Sequence, residues 1–185
     1  LLILMLISLG MLTFQQVGCW RDGPSAWGRA FELYPDLTLA RVGLGHSYLR
    51  QGELDSALRI YQPLLERPVP NLEALKGAVD ISIRRGQLEK AKKLLQIGHN
   101  LAPADEEFAE SLARIYMEEG RYEDSEQIIL NWLDSSPGSQ RAWISLSRLR
   151  QRQGREKAAV QSLKEALEIN PNNPEACNLL AMIYL

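Results

Sequence analysis

Leu44-Gly45-His46-Ser47-Tyr48-Leu49-Arg50-Gln51-Gly52-Glu53-Leu54-Asp55-Ser56-Ala57-Leu58-Arg59-Ile60-Tyr61 carries two amphipathic runs divided by one glycine, and that glycine recurs. Gly52, Gly86, Gly120 and Gly154 stand 34 residues apart, and a fixed period of this length marks stacked repeats. The windows 38–71, 72–105, 106–139 and 140–173 superpose without a gap. Their seventh position holds Leu44, Ala78, Leu112 and Leu146, their eighth Gly45, Val79, Ala113 and Ser147, and their twentieth Ala57, Ala91, Ser125 and Ala159. Small residues thus return where two helices must approach closely.

In each window apolar residues fall at i, i+3, i+4 and i+7 on both sides of the glycine, the spacing of a helix with one buried face. Glycine takes the left-handed backbone without a Cβ penalty, so it ends the first helix (A) and lets the chain reverse into the second (B). Pro35, Pro103, Pro137 and Pro171 end helix B, and Pro68 and Pro70 bracket the matching place in the first full window, because a ring nitrogen donates no hydrogen bond. The spacing predicts helices over 38–50, 54–66, 72–84, 87–100, 104–118, 121–134, 139–152, 155–169 and 174–185.

These residues resemble the tetratricopeptide repeat (TPR) family, best in Leu44-Gly45, Tyr48, Gly52, Ala57, Tyr61 and in Trp143, Leu146, Gly154, Ala159, Ala166, Pro171. Ser82 and Arg150 depart from the family's helix A tyrosine, Gly98 and Trp132 from a small helix B residue, and Glu156 from an apolar position, which is expected to loosen single repeats. Residues 21–37 match a partial repeat ending in helix B, with Ala26-Trp27-Gly28-Arg29-Ala30 at its centre, and 174–185 match a fifth helix A. The resemblance implies an all-α fold: a helix-turn-helix solenoid wound as a right-handed superhelix. The chain starts at Leu1 and ends inside an apolar helical pattern, which reads as a piece of a longer protein.

Residues 1–20 contain no Asp, Glu, Lys or Arg, and eleven of the first fourteen are Leu, Ile, Met or Phe. Twenty helical residues span roughly 30 Å, the depth of a bilayer's hydrocarbon core, and Trp20 would sit at its interface. The segment reads as the C-terminal part of a transmembrane helix that would attach the array to a membrane. A processed signal and an apolar packing helix are the competing readings; a basic n-region is absent, and Gln16 stands where a lipoprotein site before Cys19 would have an aliphatic residue.

The 185 residues carry 21 Lys+Arg against 23 Asp+Glu, a net charge of −2, which argues against a general nucleic-acid binder. Two cysteines, Cys19 and Cys177, make no disulfide framework. With two histidines and no Cys-x-x-Cys, His-Glu-x-x-His or Walker loop, the residue sets for zinc, redox and P-loop chemistry are missing. No catalytic residue, cofactor or metal is therefore expected in this segment. His99 reads as a favourable charge near a helix end, Cys177 as a small buried hydrophobe, and His46 as a hydrogen-bonding residue of the inner surface.

The resemblance also implies a concave surface lined by helix A, and the partner it implies is a protein or an extended peptide. The expected lining residues are Leu39, Val42, His46, Leu49 and Arg50; Glu73, Lys76, Asp80, Ile83 and Arg84; Glu107, Glu110, Arg114, Met117 and Glu118; and Arg141, Ile144, Arg148, Gln151 and Arg152. Val42, His46 and Gly77 depart from the family's carboxylate-clamp pattern, and Gly43, Gly77, Ser111 and Ser145 stand in place of its asparagine ladder. Asp105 to Glu126 carries nine acids and two bases, whereas Arg141 to Lys157 carries six bases and one acid. Either neighbouring blocks neutralise each other, or the groove is dipolar and suits a peptide of mixed charge.

The order of apolar span, Gln16-Val17-Gly18-Cys19-Trp20-Arg21-Asp22 and repeats resembles the junction in polytopic membrane glycosyltransferases with a C-terminal TPR array, the transmembrane-and-TPR O-mannosyltransferases among them. That resemblance implies an active site upstream of residue 1 and an array on the periplasmic or lumenal side. The chain contains no Asn-x-Ser/Thr to report sidedness.

Overall fold

A computed structural model describes residues 23–184, and ten helices run through them: α1 Gly23–Leu33, α2 Thr38–Gln51, α3 Leu54–Leu65, α4 Leu72–Arg84, α5 Leu88–Leu101, α6 Glu106–Glu118, α7 Tyr122–Ser135, α8 Gln140–Arg152, α9 Glu156–Ile169 and α10 Pro174–Tyr184. There is no strand among the described residues. Each of the nine helices expected from spacing starts and ends within two residues of its place. Residues 1–20, where the transmembrane expectation falls, lie outside the described residues. Among the described residues no helix is long and apolar enough to cross a membrane.

Gly52, Gly86, Gly120 and Gly154 have φ of 79°, 70°, 73° and 71°, the positive values found among the described residues. Each glycine N–H bonds back three residues, and the next N–H bonds back five; for Gly154 and Arg155 these are Gln151 O at 2.9 Å and Arg150 O at 2.8 Å. The last carbonyls of helix A are satisfied this way, and the chain reverses in two residues. At the other end Asn71, Ser139 and Asn173 accept from the backbone N–H of Ala74, Ala142 and Ala176, at 3.0, 3.3 and 2.9 Å. These side chains cap the next helix A.

The chain divides into two compact units, one ending at Ala91 and the other starting at Lys92. In the first, Val42, Leu49, Ala57, Tyr61, Leu64, Ala74 and Ile81 form the core between α2, α3 and α4. A Cβ added at Gly45 or at Gly77 would stand 2.4 Å from the Tyr61 ring, so two glycines on neighbouring A helices make the slot that the ring fills. In the second unit Ala109, Ala113, Met117, Ile129, Trp132, Leu133, Ala142, Leu146 and Leu149 form the larger core, and Ile144, Leu163, Ala166 and Ala176 a smaller one.

Four of the five departures from the family pattern, all but Glu156, are met by a packing or hydrogen-bond partner. A Cβ at Gly98 would meet the Phe108 ring at 2.3 Å, and Trp132, fully buried, shares its cluster with Ala142. The large residue has changed sides: glycine opposite phenylalanine in one place, tryptophan with alanine one repeat later. Arg150 donates to Ala158 O at 3.1 Å and Ser162 Oγ at 2.6 Å, and Ser82 Oγ donates to Ala78 O at 2.8 Å. Cys177 is a correction of another kind, being exposed rather than buried, because no described helix covers that side of α10.

Ala57 and Ala159 have no exposed surface. A leucine at either is expected to overpack the helix pair and to destabilise by about 1–3 kcal/mol. Thermal melts of the two variants check this, and unchanged midpoints would show that these positions are not at the helix crossing.

Candidate peptide-binding groove

In the first unit most of the charged groove candidates are engaged with their own neighbours. Lys76 pairs with Glu73 at 3.6 Å and Arg84 with Asp80 at 2.8 Å, and Arg84 also donates to Leu49 O at 3.1 Å. Arg50 is exposed and lies 3.4 Å from Ser47 Oγ. Val42 and Leu49 belong to the core, so they offer a ligand almost no surface, whereas Leu39 and Ile83 are exposed. His46 is half-buried with its ring edge on Tyr61, centroids 5.9 Å apart, an aromatic contact where a hydrogen bond was expected. The Tyr61 hydroxyl has no partner among the described residues. Its burial, and then the charges of Asp80 and Glu73, push its pKa up and keep it protonated.

The same unit explains the missing asparagine ladder in packing terms. At Gly43 a Cβ would meet Trp27 of α1 at 2.3 Å, and at Gly77 it would meet Tyr61. Aromatic rings occupy the space that ladder side chains would need.

The second unit holds an open cleft of about 520 Å³ between α6 and α8, within the size range of small-ligand sites. Glu110, Arg114, Arg148 and Arg152 line it as expected, together with the apolar Met117 and with Glu118 and Gln151. Ser145, which stands where the family's asparagine ladder would, also lines it. Glu107 and Arg141 are not part of the lining, and Ile144 is buried in the smaller core.

The acidic and basic blocks do meet. Arg141 binds Glu110 and, at 3.3 Å, Glu106; desolvation opposes its charge, but Glu110 first and Glu106 next hold its pKa up. Arg155 lies 3.6 Å from Glu126, and Arg148 pairs with Glu175 of α10. Arg114, Arg152 and Glu118 have no ion-pair or hydrogen-bond partner among the described residues. Neutralisation between blocks is therefore real but incomplete, and the unpaired charges line the cleft.

His99 does not carry the helix-end charge expected of it. It is buried, its Nδ1 has no partner among the described residues, and desolvation lowers its pKa. The folded imidazole takes its proton at a lower pH than the unfolded one, whose pKa is about 6.5, so stability is full above that pH and falls as pH drops from it towards the folded value, by at most about 1.4 kcal/mol per pH unit. His99→Leu is expected to flatten denaturation midpoints measured between about pH 5 and 6.5. An unchanged slope would place the titration elsewhere.

A tetratricopeptide repeat family profile matches residues 42–98 and 110–174. The chain belongs to the tetratricopeptide repeat family. No curated protein matches it significantly. Solved TPR folds do: a repeat protein from Parabacteroides merdae is 21% identical over 87% of this chain and 64% of its own, with a TM-score of 0.69. MamA is 19% identical over 80% of this chain and 86% of its own, with a TM-score of 0.64. YrrB, described as a TPR protein with an unusual peptide-binding site, is 17% identical over 92% of this chain and 85% of its own, with a TM-score of 0.63. At these identities the likeness is one of fold.

Proposed function

We propose that this TPR chain is a protein-interaction scaffold whose A helices hold an extended polypeptide. The observation that carries the reading is the α6–α8 cleft, where two guanidinium groups and one carboxylate line the same space as Met117 with no partner among the described residues. Acidic groups of the ligand go to the arginines and basic groups to Glu118. That YrrB is described as having a peptide-binding site supports the reading by analogy of fold.

The test is a peptide-array screen with the full chain in mild detergent, followed by titration of the best hit. Arg148→Glu is expected to weaken binding about tenfold and Arg155→Glu to do little. Affinity should fall with salt, since partly exposed charges are screened within about 8 Å at physiological ionic strength. Equal losses for both variants would mean that only overall charge matters.

We further propose that the scaffold is membrane-tethered through residues 1–20, on the strength of their uncharged, apolar sequence. A reporter fused to this segment should resist alkaline extraction, and its release by carbonate would overturn the tether. The sequence from Gln16 to Asp22 supports a second reading: the array is the non-catalytic C-terminal region of a polytopic membrane glycosyltransferase, on the periplasmic or lumenal side. Upstream coding sequence with many further spans and an acidic loop motif would favour this reading, and a single span with a short basic flank the simple tether.

A further inference from the structure

Arg148 is both a wall of the cleft and the ion-pair partner of Glu175, the second residue of α10. Glu175 does not line the cleft, and both side chains of the pair are nearly half exposed. One of the three cleft guanidiniums is thus already bound to a carboxylate, and that carboxylate comes from the chain itself. Arg114 and Arg152, the other two, have no partner among the described residues.

Resting on the scaffold reading, we propose that Glu175 is an internal competitor for Arg148, and that the ligand is a peptide of mixed charge whose side-chain carboxylate, flanked by a basic residue, displaces it. In the bound state Arg148 leaves Glu175 and joins Arg114 and Arg152 around the incoming carboxylate. Glu175 becomes a solvated surface residue. Because each exposed pair is weak, the exchange is nearly balanced, and Glu175 sets the threshold of affinity. Charge complementarity selects this occupant. Glu118, unpaired among the described residues, stands in the same cleft, so a nucleic-acid backbone or a phosphate dianion meets repulsion that a single carboxylate flanked by a basic residue avoids. The Ser145 hydroxyl and the Gln151 amide supply uncharged donors for the peptide backbone.

The probe is a pool of blocked dodecapeptides carrying one glutamate and one lysine, with a matched pool in which glutamine replaces the glutamate. Fluorescence anisotropy of the full chain in mild detergent should show preference for the glutamate pool. Glu175→Gln should strengthen that binding about two- to fivefold, the range an exposed ion pair accounts for. Glu168→Gln, the same charge change elsewhere on an exposed surface, should leave it unchanged. In an Arg148→Gln background Glu175→Gln should have no effect, because the competed partner is gone. Melting curves of every variant establish that the fold is retained. If the glutamate pool binds and is weakened by Arg148→Gln, but Glu175→Gln changes nothing or acts equally in both backgrounds, the competitor is overturned and the scaffold reading stands. If neither pool binds any variant, both fall.

Discussion

Trp132→Ala is expected to destabilise the protein by about 3–5 kcal/mol, the range for removing a large buried aromatic. Trp132 is fully buried in α7, in one cluster with Ala109, Ala113, Ile129, Ala142, Leu146 and Leu149. Its neighbours include three alanines, short side chains on helices whose backbones cannot close around the void without shifting whole turns. The indole Nε1 has no hydrogen-bond partner among the described residues, so the loss is one of packing and hydrophobic burial. Trp132→Phe keeps most of the ring and is expected to lose much less. Denaturant unfolding of both variants decides the matter. A loss for Trp132→Ala below about 1 kcal/mol would remove the residue from the core.

The second large effect is a pair. Phe108→Ala is expected to cost about 3–5 kcal/mol, and Gly98→Leu about 1–3 kcal/mol or more, because the added Cβ alone would stand 2.3 Å from the Phe108 ring. A leucine favours the helix by somewhat less than 1 kcal/mol over glycine, too little to offset the clash with a ring that has no exposed surface. The double variant returns volume to the side that lost it. Its destabilisation should fall short of the sum by roughly 0.5–3 kcal/mol. Strict additivity would show that the two residues do not share one space.

Legibility differs sharply between these features and the repeat frame around them. The turn at Gly154 is readable from residues 149–155 alone, since its hydrogen bonds run from Gly154 and Arg155 to Gln151 and Arg150. The Gly98–Phe108 exchange is not readable that way. Gly98 looks like a defect in its own window, and it becomes a complement only when α6 is laid against α5. The groove candidates divide in the same manner. The family resemblance places Val42, Ile144 and Arg148 on the inner side of helix A, but neighbouring helices decide that Val42 and Ile144 are covered and that Arg148 reaches Glu175.

The sequence by itself determined the helices, their ends and the period of their stacking. Those depend on backbone conformation and amphipathic spacing, which act over one or two turns, and on a repeat that states the same local instruction four times. Only the tertiary structure decided which charges stay unpaired in the α6–α8 cleft, why no side chain fits at Gly43 and Gly77, and that His99 is buried while Cys177 is exposed. The first two follow from side chains about 10 to 35 residues apart competing for the same volume or the same counter-charge, and the last from which neighbouring helices cover each position. That competition is settled by close packing and by desolvation, neither of which acts until the helices are side by side.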